Sequence, residues 1–155
     1  MGLKRLAFVG AAAVAAALDL WSKSAVFAHG STKGVVPGVL DFETARNPGI
    51  AWSLFAKQDA RWILAGVAVA GLVVIATVLL RARAPSWRFT LGLGLIAGGT
   101  LGNLHDRIVH GAVRDFLRVA FIDFPIFNVA DSFVFIGAAL LLFDGLFARP
   151  AAERG

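Results

Sequence analysis

Four aspartates could carry chemistry, because each stands at or beside a long apolar run: Asp19, Asp106, Asp115 and Asp131. Two carboxylates held close together cannot both ionise easily, so they share a proton and one pKa rises. Such a pair activates water. One acid acts as the general base, while its protonated partner polarises a carbonyl and the leaving amine is later protonated. The residue types therefore indicate chemistry of the aspartic-protease type, provided that the fold brings two of the acids together.

The elements that must position these acids are apolar helices. Hydrophobic residues form 58% of the chain, charged residues form 16%, and the mean hydropathy is +0.76, whereas soluble domains are about 45–50% apolar. A helix crosses the bilayer with about 20 residues. The sequence predicts one membrane domain over residues 1–155, with four transmembrane helices at about 6–28, 62–80, 87–104 and 127–147. The first run begins like a secretory signal peptide, but its apolar character continues past Lys23, so we expect a retained helix.

The basic residues predict the orientation of these helices. Residues 1–5, 81–88 and 148–155 hold seven Lys or Arg in 21 positions, whereas residues 19–61 and 105–126 hold eight in 65. Short basic segments stay in the cytoplasm, so both termini are expected there. The segment 29–61 then lies outside, and its pattern around Val39, Leu40 and Phe42 predicts short strands at the membrane surface. All four aspartates fall near the outer ends of helices under this topology.

Each aspartate also has a plainer interpretation. Asp19 pairs naturally with Lys23 at i,i+4 and Asp106 with a cation on a neighbouring segment, and for these two we favour the ion pair. Asp115 reads equally well as a solvated loop charge. Asp131 stands in an apolar run, where a helix N-cap is the alternative, but an intramembrane functional role is favoured.

Amides and glycines complete the pattern. Asn103 and Asn128 lie at helix ends, where they could bind carboxylates or a peptide backbone, although capping and contacts between helices explain them equally well. Gly94, Gly98 and Gly102 recur every four residues and predict close helix packing. A dinucleotide loop is not indicated, because no strand precedes these glycines.

Other chemistries lack support in the sequence. The chain has no cysteine, which excludes thiolate nucleophiles and cysteine metal sites. His29, His105 and His110 show no metal-ligand spacing, and no serine stands in a G-x-S-x-G elbow. The net charge of +5 comes from residues between apolar runs, where they meet lipid headgroups rather than nucleic acid. We expect no metal, no cofactor and no nucleic-acid partner.

Five motifs in order resemble the lipoprotein signal peptidase family, also called signal peptidase II. They are Asp19-Leu20-Trp21-Ser22-Lys23, Asn47-Pro48-Gly49-Ile50-Ala51-Trp52, Gly102-Asn103-Leu104-His105-Asp106-Arg107, Gly111-Ala112-Val113-Arg114-Asp115-Phe116 and Phe127-Asn128-Val129-Ala130-Asp131. The resemblance covers nearly the whole chain. It departs from the family's usual residues at Ile50, Trp52 and His105, which puts substrate fit in doubt but leaves the paired acids unchanged.

The resemblance implies an aspartyl endopeptidase of the bacterial inner membrane that cleaves prolipoproteins before a diacylglyceryl-modified cysteine. It implies an all-α fold of four transmembrane helices, with a small extracytoplasmic cradle of strands and a surface helix between helices 1 and 2. Its active site would lie near the outer face, in contact with membrane lipids, and a monomer is favoured. By motif position Asp115 and Asp131 match the catalytic pair. The supporting positions are Asp19, Lys23, Asn47, Gly49, Asn103, Asp106, Arg107, Asn128 and Ala130.

Two roles stay open for Arg107, which could pair with a carboxylate or order a loop carbonyl. Two other classes of function also stay open. A small proton-coupled transporter would use intramembrane acids as a relay, but a relay needs acids at several depths, and residues 62–80 have none. A purely structural protein would lose no activity when both acids of the pair are replaced.

Overall fold

Four helices and a small antiparallel sheet make up the computed structural model, which describes residues 2–49 and 60–147. The order is α1 (Gly2–His29), β1 (Thr32–Val36), β2 (Leu40–Asn47), α2 (Arg61–Arg81), α3 (Trp87–His110), β3 (Val113–Val119) and α4 (Val129–Phe147). Helices therefore lie at all four predicted places. The surface helix expected between helices 1 and 2, together with Ile50 and Trp52, falls outside the described residues.

Helix α3 is the central element and packs against each of the other three helices. A methyl group added at Gly94 would lie 2.9 Å from the Ala11 Cβ of α1, and one added at Gly98 would lie 2.6 Å from the Ala15 Cβ. On another side of α3, a methyl at Gly92 would lie 2.9 Å from the Gly137 carbonyl of α4. The predicted close packing through small residues is confirmed for α1 and extends to α4.

The outside of the bundle is apolar. Helices α2 and α4 are long and apolar enough to cross a membrane, and large side chains on them are well exposed, among them Ile63, Val67, Phe135 and Leu142. Helices α1 and α3 instead carry buried charged residues. Exposed apolar surface of this extent suits lipid as the solvent.

The sheet has the strand order β1-β2-β3, with both pairs antiparallel. Strands β1 and β2 form a hairpin in the segment after the first helix, where the sequence predicted short strands. Strand β3 was not predicted: it comes from the segment between α3 and α4, and it pairs Val113 with Asn47 and Asp115 with Ala45. The rings of Phe42 and Phe116 pack edge to face at 5.6 Å between the two strands.

Two helix boundaries differ from the prediction because groups next to each boundary find partners elsewhere in the protein. Helix α3 continues beyond residue 104 to His110, where Gly111 ends it in the left-handed conformation at φ 76°. Helix α4 begins at Val129 rather than at 127, because Phe127 instead pairs with Leu117 of β3 through a backbone bond of 3.1 Å.

Candidate active site

Asp115 reaches the site from the middle of β3. Alternate residues of a strand face opposite sides, so Val113 and Asp115 line a groove while Arg114 points away from it. Asn47 pairs with Val113 and therefore lies diagonally opposite Asp115 on the same face. Its Nδ2 donates to Asp115 Oδ2 at 3.1 Å. The loop-charge interpretation of Asp115 is wrong, since only 3% of this residue is exposed.

Asp131 enters the site from the first turn of α4. Asn128 directly precedes that helix, and its Oδ1 accepts from the Asp131 backbone N–H at 3.0 Å. Asp131 Oδ2 in return accepts from the Asn128 backbone N–H at 3.1 Å. This reciprocal pair is a capping box. The N-cap of α4 is thus Asn128. Asp131 is the third residue of the helix and the partner of that cap rather than the cap itself.

The side-chain amide of Asn128 joins the two acids. Its Nδ2 donates to Asp115 Oδ1 at 2.6 Å and to Asn103 Oδ1 at 3.1 Å. Asn103 Nδ2 donates to Asp131 Oδ1 at 2.9 Å, and Lys23 Nζ donates to Asn103 Oδ1 at 2.8 Å. Because Lys23 has only donors, it fixes which way the Asn103 amide points. Both amides, which the sequence left between capping and carboxylate binding, bind the carboxylates.

Behind the two acids lies a fully buried group of charges. Lys23 Nζ is 2.7 Å from Asp19 Oδ2 and 3.3 Å from Asp106 Oδ2, and the side chains of all three are 0% exposed. The predicted ion pairs of Asp19 and Asp106 are confirmed. Asp19 Oδ1 also accepts from the backbone N–H of Ala130 at 2.9 Å, and the absence of a side chain at Gly102 makes room for the Asp19 carboxylate.

Arg114 belongs to this buried group, and sequence reasoning missed it. Its Nε and NH2 donate to Asp106 Oδ1 at 3.1 and 2.8 Å, and its backbone N–H donates to Asp106 Oδ2 at 2.9 Å. The sequence did contain a feature that indicates this role: Arg114 and Asp115 are adjacent opposite charges flanked by the apolar residues Val113, Phe116 and Leu117. Strand alternation sends one charge to each face, so the second face needed a buried partner.

Arg107 and Gly49 close the side of the site next to β2. Arg107 NH2 donates to the Gly49 carbonyl at 3.2 Å, and its NH1 donates to the Asn103 carbonyl at 3.3 Å. Of the two roles open for Arg107, the structure shows the ordering of a loop carbonyl. Gly49 N–H in turn donates to Asn47 Oδ1 at 3.1 Å. The loop therefore fixes the orientation of the Asn47 amide: Oδ1 accepts from the loop, and Nδ2 donates to Asp115.

The two acids lie in a groove of about 1190 Å³. Its walls include Asn47, Asn103 and Arg107 as well as Phe127 and Phe135. Burial raises the pKa of Asp115 from 3.8 to about 6; the bond from Asn128 opposes this rise and the nearby charge of Asp131 adds to it. A carboxyl that holds its proton near pH 6 beside a second carboxylate is the arrangement needed for acid–base activation of water.

A metal site fits these residues poorly. His105, Asp106 and His110 bring possible ligand atoms within 4.8 Å of one another. Both oxygens of Asp106, however, are already bound by Arg114 or Lys23. A cation would have to displace two fixed positive charges, so this group suits an ion pair better than a metal.

All eleven residues singled out in the sequence lie in one connected network at one end of the bundle. The other end holds Lys4, whose Nζ donates to the Pro85 carbonyl, and Asp144, which accepts from Ser86. Asp19, Asp106, Asp115 and Asp131 are thus gathered at one level rather than spaced along a path. This geometry favours local acid–base chemistry over a transmembrane proton relay.

Comparisons with known proteins agree with this geometry. The model of the family described as "Signal peptidase (SPase) II" matches residues 11–147. The lipoprotein signal peptidases of Yersinia pestis (strain Pestoides F) and Yersinia pseudotuberculosis serotype O:1b (strain IP 31758) are each 40% identical over 148 residues, which cover 92% of this chain and 87% of the relative.

Solved structures share the fold. A bacterial membrane enzyme determined in meso at 2.3 Å resolution superimposes with a TM-score of 0.83 at 24% identity, covering 100% of this chain and 96% of its own. A second such enzyme structure, at 1.9 Å, gives 0.82 at 25% identity and covers 96% of both chains. The resemblance inferred from the five motifs is confirmed: the chain belongs to the signal peptidase II family of bacterial peptidases.

Proposed function

We propose that this chain is an intramembrane aspartyl endopeptidase that removes signal peptides from prolipoproteins by cutting before a diacylglyceryl-modified cysteine. One observation carries the catalytic part of the proposal. Asn128 holds both acids of the dyad Asp115 and Asp131 at once, with its side chain 2.6 Å from one and its backbone N–H 3.1 Å from the other. A shared clamp of this kind keeps two carboxyl groups at a fixed separation in a groove.

The hydrogen bonds support a division of roles within the dyad. Asp131 accepts from Asn103 Nδ2 and from the Asn128 N–H, so as a carboxylate it is well oriented to take a proton from water. Asp115, whose pKa burial raises to about 6, supplies the proton that polarises the scissile carbonyl. Water oxygen bonds to the carbonyl carbon while Asp131 takes a proton from the water and Asp115 gives its proton to the carbonyl oxygen. When the C–N bond then breaks, Asp131 gives its proton to the leaving amine, and a hydroxyl of the intermediate returns a proton to Asp115.

The remaining groups of the groove suit a lipid-bearing peptide. Asn47 and Arg107 offer amide and guanidinium donors to a peptide backbone next to the dyad. On α4, Phe135 lies one turn beyond Asp131 and is 76% exposed, and Ile136 beside it is 47% exposed. Acyl chains on the cysteine could lie along this face and in the bilayer, while the peptide bond before the cysteine meets the dyad. Binding the lipid would then orient the bond for attack.

The membrane topology is part of the proposal. Four helices cross the bilayer with both termini in the cytoplasm, and the dyad lies near the outer face of the inner membrane. The buried charges of α1 and α3 support this placement, since paired and protein-facing charges are tolerated in a membrane domain. The basic residues at the end of the bundle away from the dyad agree with it.

The test is cleavage of a purified diacylglyceryl-modified prolipoprotein by wild type, Asp115→Asn and Asp131→Asn. Asn keeps the shape of Asp but cannot exchange the proton, so each substitution should lower kcat by about three or more orders of magnitude. Asp41→Asn is the matched control: its carboxylate lies on β2, where it accepts from the Gly34 N–H, and activity should stay near that of wild type.

Two comparisons make the result decisive. Circular dichroism in detergent should show that both dyad variants are folded. The same precursor without its diacylglyceryl group should be cut far more slowly by wild type. Near-normal activity of either dyad variant would refute the mechanism, and equal cleavage of both precursors would refute the lipid part of the substrate assignment.

A further inference from the structure

A second cavity, of about 300 Å³, lies at the end of the bundle away from the dyad. It is formed by the start of α1 and by the connection between α2 and α3, and Lys4, Arg5, Arg83, Leu79 and Trp87 are among its walls. This volume is at the lower end of the range of ligand sites in proteins, which is about 300–1,000 Å³. Nothing in the proposed peptidase reaction uses this cavity.

One cation of the cavity is held in place. Lys4 Nζ donates to the Pro85 carbonyl at 2.6 Å and lies 5.7 Å from the centre of the Trp87 ring. An ammonium group has three donors, and this bond uses one of them. The contacts keep a long and otherwise mobile side chain over the cavity, so the cost of ordering it for a ligand is already met.

Positive charge in the cavity is unbalanced within the part of the chain that the structure describes. Lys4, Arg5 and Arg83 form none of the ion pairs found there. Asp144 reaches the same end of the bundle and accepts a hydrogen bond from the Ser86 hydroxyl at 2.5 Å, but it forms none of the ion pairs found among the described residues. Three cations around one small cavity, with no carboxylate paired to them among residues 2–49 and 60–147, favour an anionic ligand.

The walls indicate what kind of anion fits. Leu3 and Leu79 are apolar, and Trp87 offers a ring of the type that lies at the level of lipid headgroups. A free inorganic anion makes no apolar contacts with such walls. A phosphodiester that carries glycerol and the first carbons of its acyl chains can bury those carbons against them. The cavity also lies where α2, a helix long enough to cross the membrane, ends at Arg81. A helix that spans the bilayer ends near the phosphates of one leaflet, so in the proposed membrane topology the cavity lies at that depth.

We propose that this cavity is a binding site for the phosphate of an anionic phospholipid, held by Lys4, Arg5 and Arg83 over an apolar floor. A lipid bound there would connect α1 with the segment between α2 and α3. The expected consequence is higher thermal stability of the protein in anionic lipid. The site is separate from the dyad, so its loss should leave peptidase activity in detergent unchanged.

The test measures binding and melting temperature with phosphatidylglycerol and with phosphatidylcholine, added as detergent-solubilised lipid to the purified full chain. Native mass spectrometry should show one retained phosphatidylglycerol, and the melting temperature should rise with that lipid only. Lys4→Gln and Arg83→Gln should each weaken retention by about fivefold, the contribution of one cation near an anionic lipid. The double variant should lose both the retention and the rise in melting temperature.

Arg88→Gln is the matched control, because Arg88 is an exposed cation just after Trp87 but does not line the cavity. It should retain the lipid as wild type does. An equal loss in Arg88→Gln would show diffuse attraction to the basic surface and overturn the site. A second control adds inorganic phosphate at matched ionic strength in place of the lipid. If phosphate raises the melting temperature as much as phosphatidylglycerol does, the cavity binds a free anion and the lipid assignment is wrong.

Discussion

At the scale of single residues, Asn128 combines a structural role with the proposed catalytic one. Its Oδ1 begins α4 by accepting the Asp131 N–H, its own N–H fixes Asp131, and its Nδ2 holds Asp115 at 2.6 Å. Any shift in the start of α4 therefore changes the hydrogen bonds to both acids. A capping residue that also clamps two carboxylates keeps their separation constant without a flexible linker.

The pKa of Asp115 predicts how activity depends on pH. Its pKa lies near 6 rather than 3.8, so the group holds its proton between these values and loses it as the pH rises through about 6. If the reaction needs that proton, kcat/KM should fall as the pH rises through about 6, which gives the pH–rate profile a descending limb. The descending limb is measured from initial rates at low substrate concentration, which report kcat/KM. The pH is varied from about 5 to about 8, a range that spans the limb.

Asn47→Ala should move that limb in a defined direction. The hydrogen bond from Asn47 lowers the pKa of Asp115, so removing it should shift the limb to higher pH, together with a loss of kcat. Lys33→Gln, an exposed change in β1, should leave the limb in place. A limb that stays at the same pH in Asn47→Ala would assign it to a group other than Asp115.

How far the sequence predicts the site differs from residue to residue. The i,i+4 spacing predicted the ion pair of Asp19 with Lys23. The matching motifs predicted Asp115 and Asp131 as a pair, and both residues line one groove. Arg114 was missed, because its role depends on strand β3 turning neighbouring residues to opposite faces. Spacing along a chain cannot specify a partner such as Asp106 that is eight residues away across a turn.

At the scale of elements, the packing of α3 depends on the glycines that face its neighbours. Gly98 lies against the backbone of α1: an added methyl group would meet the Ala12 carbonyl and the Ala15 Cβ. Packed helices have no room for an extra carbon, and overpacking costs about 1–3 kcal/mol. Because α3 also carries Asn103, any separation of α1 from α3 would move Lys23 away from this amide.

Gly98→Ala should therefore lower the free energy of unfolding by about 1–3 kcal/mol and reduce activity. Gly71→Ala in α2 is the control, since nothing lies within 4 Å of a methyl group added there. Glycine weakens a helix by about 0.5–1 kcal/mol relative to alanine, so this variant should be neutral or slightly more stable. Thermal melts in one detergent compare them, and equal destabilisation of both would show that packing at Gly98 is not tight.

The sequence predicted the apolar interiors of the helices better than their ends. Helix α3 was expected to stop near residue 104, because polar residues follow, yet it continues to His110. Burial of Asp106 against Arg114 and Lys23 satisfies the polar groups that would otherwise end the apolar helix. A sheet edge formed by a distant segment, as β3 forms here, has no local signal.

At the scale of the whole molecule, the buried charges hold separate elements together around the site. Asp19 and Lys23 come from α1, Asp106 from α3 and Arg114 from β3, and the N–H of Ala130 adds the start of α4. The group holds two positive and two negative charges, so the set balances. Such a cluster need not add net stability, but removing one member leaves an uncompensated buried charge.

Strand β3 offers a matched pair of arginines that tests this view. Arg114 and Arg118 both pair with acids, at 2.8 Å from Asp106 and 3.1 Å from Glu43, but their side chains are 9% and 45% exposed. Arg114→Gln should lower the free energy of unfolding by about 3–5 kcal/mol. Arg118→Gln should cost at most about 1 kcal/mol, as is usual for exposed pairs. Thermal and denaturant unfolding in detergent measure both.

A second substitution separates the loss of the ion pair from a general disturbance of β3. Asp106→Asn removes the negative partner, so in the double variant Arg114→Gln with Asp106→Asn the unpaired charge no longer remains. The double variant should then be less destabilised than the sum of the two single changes, by about 0.5–3 kcal/mol, the usual range for directly coupled residues. Strict additivity would show that Arg114 acts through packing alone and that the buried charges do not hold the site together.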